Sequence, residues 1–148
     1  METSSSQFRL LLYFFIHIIV PVLGGITIYA LWRGIYFIDP QQTSLPLFNS
    51  GILPNWVKYN LPDGLWLYAY TSLMIFIWKR KLDLQALIWV SSGFVISVLA
   101  EFGQKEGLLP GTFDWKDLFA YFIAIALCVF HFPQVVQYLL LKTKISKQ

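Results

Sequence analysis

The chain has 148 residues and a formal net charge of +3; 57% of its residues are apolar, 18% aromatic and 13% charged, with a mean hydropathy of +0.59. Soluble globular domains carry about 25% charged residues, so the chain has about half the charge that a water-facing surface needs and is read as a membrane protein. This excludes a soluble enzyme, a nucleic-acid-binding domain and a disulfide scaffold: Cys128 is the sole cysteine, no zinc-type Cys/His cluster occurs, and the basic residues sit in small groups between apolar runs.

A membrane-crossing helix needs about 20 mainly apolar residues, within a range of about 17–25. The first candidate, 10–32, contains no Asp, Glu, Lys or Arg. It is longer than the roughly 7–15-residue core of a signal peptide and no small-x-small cleavage site follows, so it reads as a retained anchor. The segment 34–62 holds four of the seven prolines among many aromatic and aliphatic residues. It is too apolar for a solvated loop and too broken for a span, which predicts a cap or an interfacial segment. Further spans are predicted over 62–78, 84–102 and 118–141, the last kinked or ended near Pro133. The expected fold is a single all-α integral membrane domain, four transmembrane helices in a compact bundle with a long aromatic and proline-rich outer loop.

Four spans put both termini on one side. Arg9, Lys79, Arg80, Lys81, Lys142, Lys144 and Lys147 fall on that side, against Arg33, Lys58, Lys105 and Lys116 on the other. The positive-inside rule then makes both termini cytoplasmic in a multi-pass protein of the cytoplasmic (inner) membrane. Trp32, Trp66 and Trp115 mark outer ends, and Trp78 and Trp89 inner ends, as interfacial anchors. His17 and His131 are expected to satisfy hydrogen bonds inside the bundle, and Cys128 to act as a small packing residue.

Small residues let helices approach closely in lipid. Gly93, Ser97, Ala100 and Gln104 form such a stripe on the third span, and Ala120, Ala124 and Cys128 on the fourth. These two stripes are expected to meet. That would bring Glu101 and Gln104 beside Asp114, Asp117 and Tyr121, across a turn with Pro110 and Gly111 at its centre. Asp63, Asp114 and Asp117 at helix starts serve equally as caps or as members of a site. Glu101 gains nothing from its helix dipole and partly enters the membrane, where ionisable groups are costly.

The run Glu101-Phe-Gly-Gln104, then Leu-Pro-Gly-Thr112-Phe113-Asp114 and Asp117, resembles the VanZ-like family of small polytopic bacterial membrane proteins. Leu61-Pro-Asp63-Gly, leading into Tyr68 and Tyr70, is similar to a second family segment. The family's turn arginine is replaced here by Thr112, and its histidine near Asp63 has no counterpart. The resemblance implies an accessory protein of the bacterial cell envelope, in a family that includes a determinant of low-level teicoplanin resistance.

The candidate ligand-binding residues are Glu101, Gln104, Asp114, Asp117, Asp63 and Tyr121, facing outward. The partners expected are membrane lipids and an envelope lipid, glycan precursor or amphiphilic drug, with no nucleic acid; a homo-oligomer is compatible with the sequence. No cofactor or metal is implied. The alternatives are an integral membrane enzyme using paired carboxylates or a divalent cation on a phospholipid-type substrate, and an oligomeric channel or membrane stress or defence effector. No HExxH, Walker or Ser-His-Asp pattern supports the enzyme, and the spans lack the ionisable residues of a charged pathway.

Overall fold

The computed structural model describes residues 4–32, 53–78 and 83–131, and among these every regular element is a helix. Most of the 34–62 segment, the 79–82 cluster, Pro133 and the C-terminal tail lie outside the described residues. Helix α1 (Ser4–Phe14) passes through one π turn (Phe15–Ile19) directly into α2 (Val20–Trp32). Pro21 explains the π turn: it has no N–H to offer the carbonyl four residues back, and its ring would crowd that group. The ladder is re-phased just before it, the Val20 N–H donating to the Phe15 carbonyl.

A short helix, α3 (Asn55–Tyr59), precedes α4 (Leu61–Ile77), which is followed by α5 (Leu84–Lys105) and α6 (Trp115–His131). Helix α4 starts with Pro62 in its first turn, where a missing N–H costs nothing. Helix α5 is capped by Asp83, whose carboxylate accepts the Ala86 N–H at 2.8 Å. It ends three residues later than expected, in a Schellman motif that reading Pro110 and Gly111 alone did not reveal. There the Leu108 N–H donates to the Gly103 carbonyl and the Gly107 N–H to that of Gln104. Gly107 takes the left-handed φ of +69° that this cap requires. Gly111 also has a positive φ, +130°.

Helix α4 is the hub. It touches α2, α5 and α6, most extensively α6, and the Leu67, Ala69, Thr71, Ser72 and Ile75 side chains are buried along it. Helices α4 and α6 run parallel in a fixed register, with the Gly64 position against Ala120 and the Ser72 hydroxyl 3.7 Å from the Cys128 sulfur. The two small-residue stripes therefore do not chiefly meet each other. Gly93 receives the Tyr70 ring of α4, and Ala124 and Cys128 are buried beside α4. Helices α5 and α6 do touch along their length, the Phe94 and Phe122 rings lying 5.2 Å apart, but α4 offers the closer fit to the small residues of both.

Two helical stretches, Leu10–Trp32 and Leu84–Lys105, are long and apolar enough to cross a membrane. Their outer faces are apolar as well: Leu11, Phe15, Leu23, Ile88, Ile96 and Leu99 are all exposed. Surfaces of this extent mark a membrane or partner contact. Near the other end of the bundle, Trp78 and Trp89 stack with their ring centroids 6.5 Å apart.

Candidate functional site

The C-terminal end of α5 and the N-terminal ends of α4 and α6 converge on a cavity of about 720 Å³. All six residues singled out from the sequence line it: Asp63 from α4, Glu101 and Gln104 from α5, Asp114 from the connection, and Asp117 and Tyr121 from α6. Four of them, Glu101, Asp114, Asp117 and Tyr121, are joined by hydrogen bonds rather than by facing stripes, the link to Asp117 running through Asn60. The Glu101 carboxylate, 4% exposed, accepts the backbone N–H of Asp114 at 3.2 Å and the hydroxyl of Tyr121. One carboxylate thus ties the end of α5 to the start of α6. It offsets its unfavourable dipole position by taking a donor from the neighbouring helix entrance.

Asp114 caps α6. One of its oxygens accepts the Lys116 N–H at 2.9 Å, the bond expected of an N-cap aspartate. The other accepts from the Asn60 amide at 3.2 Å. The Lys116 N–H, then the Asn60 amide and the Lys116 ammonium, hold the Asp114 carboxyl below the usual aspartate range against a partial opposing effect of burial. Asp114 therefore caps a helix and lines the cavity at once.

Asn60 lines the cavity and was not singled out from the sequence. It is 4% exposed and makes no capping bond to its own helix. Its amide reaches across to Asp114 and, at 2.7 Å, to Asp117. Its place just ahead of Leu61-Pro62 marks a helix start, but a cross-helix amide carries no local pattern. Trp66, read from the sequence as an interfacial anchor, also lines the cavity. Its indole lies against the α2 backbone at Gly25, where no side chain intervenes, and its ring is 5.9 Å from that of Tyr29. From α3, Asn55 and Tyr59 reach the cavity wall. Gly111 packs directly against the Gln104 amide, leaving no room for a Cβ.

The histidines stand apart from this cavity. His17, on the π turn, pairs with the Tyr68 hydroxyl at 2.6 Å, and His131 donates to the Leu127 carbonyl at 2.8 Å. Among the described residues, no group of three or more His, Cys, Asp or Glu side chains is arranged to hold a metal ion. The arrangement is therefore a water-accessible chamber rich in acceptors, with aromatic walls, suited to holding amine and hydroxyl donors. No protein-family model, curated protein or solved structure matches the chain.

Proposed function

We propose that the chain is a four-helix accessory protein of a bacterial cytoplasmic membrane, similar to the VanZ-like family. In this reading its acidic cavity opens toward the outer leaflet and binds the polar part of an envelope lipid, glycan precursor or amphiphilic drug. The observation that supports the reading is the meeting of Asp63, Glu101, Gln104, Asp114, Asp117 and Tyr121 in one cavity. Helices α4 and α6, with 17 described residues each, reach the lower end of the roughly 17–25 residues that span a bilayer. The sign count of Lys and Arg directs the cavity end outward.

Binding and capping are separated by substitutions that keep size while removing charge. Glu101→Gln, Asp114→Asn and Asp117→Asn, made singly and together, should insert and fold yet lose the protein's effect on the host's susceptibility to a lipid-bearing glycopeptide such as teicoplanin. Full effect in the triple variant, at unchanged protein level, would reduce the carboxylates to helix caps and sink the reading.

A further inference from the structure

Beside the acidic cavity runs a second hollow of about 430 Å³, an almost wholly apolar groove between α4 and α6 walled by Leu65, Tyr68, Phe119, Ile123 and Leu127. The two hollows adjoin: Asn60 and Lys116 line both. From Lys116 to Leu127 the groove follows α6 for roughly 16 Å at about 1.5 Å per residue. That is close to half of a hydrocarbon core of roughly 30 Å, the depth of one leaflet. A single acyl chain entering at the headgroup level fits this length and this chemistry.

The charges at the junction fall in a definite order. Lys116 sits in the first turn of α6, where the helix dipole disfavours a cation, and it lies where groove and cavity join. Beyond it come Asp114 and Glu101, oxygen acceptors already linked through the Asp114 N–H. Along one path the protein therefore presents an apolar slot, then a cation, then carboxylates. A lipid with an acyl chain, a phosphate and a terminal ammonium presents the complementary sequence.

Resting on the outward-cavity reading above, we infer that this site takes a zwitterionic, amine-headed glycerophospholipid. One chain lies in the α4–α6 groove, the phosphate rests at Lys116, and the ammonium reaches the Glu101 and Asp114 carboxylates. The ammonium's hydrogen bonds to carboxylates provide the selectivity, since charge-assisted bonds are the strong ones.

The test is native mass spectrometry of the full chain, released from detergent after incubation with matched dioleoyl lipids bearing ethanolamine, glycerol or choline headgroups. The ethanolamine lipid should be retained about tenfold better than the glycerol lipid, the effect of one hydrogen bond to a charged group. The choline lipid, whose nitrogen has no N–H, should also be retained less well. Ile123→Trp, which fills the groove from an exposed position, should abolish retention of all three. Lys116→Gln should weaken retention, and Glu101→Gln should erase the preference for ethanolamine over choline.

Equal retention of the three lipids, or preference for glycerol, overturns the inference. So does retention unaffected by Ile123→Trp, which places the lipid elsewhere, or a mass showing a second copy of the chain in place of lipid. The cavity reading is judged separately, by the cellular effect of the triple carboxylate variant. If that effect depends on the carboxylates while ethanolamine lipid shows no preference, the cavity stands and its occupant is of another class.

Discussion

Asn60 occupies the N-cap position of α4, yet its side chain spends its donors on Asp114 and Asp117 of another helix. Two carboxylates close enough to share one amide repel each other, and the buried Asn60 amide bridges them. Asn60→Leu removes both of these bonds and should cost about 1–2 kcal/mol of stability in detergent, the lower part of the range for hydrogen bonds to charged groups because both carboxylates are partly exposed; an unchanged melting temperature would show that water replaces the amide without loss. Asp114 makes a pH-dependent contribution of known sign. Its folded carboxyl titrates below the unfolded value of about 3.9, so its stabilisation is present above that value and is lost as pH falls through the folded one. Asp114→Asn, still a good N-cap, should flatten the fall in melting temperature over this acid range. A parent and variant with parallel acid limbs would assign the dependence to other groups. The identities of five carboxyl and amide residues at this site were legible in the sequence because helix starts and ends carry local signals. Asn60 was not, because its partners lie on α6 and no spacing along the chain records them.

Among the elements, the helices themselves could be read from apolar runs, and their order in space could not. Helices α5 and α6 are sequential and carry matching small stripes, yet Gly93 of one and Ala120, Ala124 and Cys128 of the other pack on α4, which meets α6 through its own Gly64 and Ser72. Periodicity reports which face is small and is silent about which of several small faces it will meet. The difference is measurable by pairing cysteines on a Cys128→Ala background. A Cβ at Gly64 would lie 3.2 Å from that of Ala120, near the mean disulfide Cβ separation of about 3.8 Å. Gly64→Cys with Ala120→Cys should cross-link on mild oxidation, and Gly93→Cys with Ala124→Cys should not. The reverse pattern would mean that the two small stripes face each other after all. The π turn escaped the sequence reading for a related reason: Pro21 interrupts a run that remains apolar throughout, and hydropathy averages the interruption away.

For the molecule as a whole, the low charge and apolar composition point to a membrane setting, and the described residues agree with this in two helices long and apolar enough to cross a bilayer, with Leu, Ile and Phe exposed along them. The orientation proposed above rests on the count of basic residues and is open to direct measurement. Thr112, exposed in the α5–α6 connection, lies on the outer side in this arrangement. Thr112→Cys on the Cys128→Ala background should react with an impermeant thiol reagent in intact cells; labelling only after the membrane is opened would invert the topology. The parallel pairing of α4 with α6 also sets a timetable for biosynthesis. The hub helix is translated well before its main partner, so Ser72 and Asn60 lack their α6-side contacts until the last described helix arrives. A nascent chain stopped at residue 114 would carry every described helix except α6. Such a product should be cleared by membrane proteases much faster than the full chain in a pulse-chase experiment, and equal lifetimes would mean that the first three long helices assemble without their keystone.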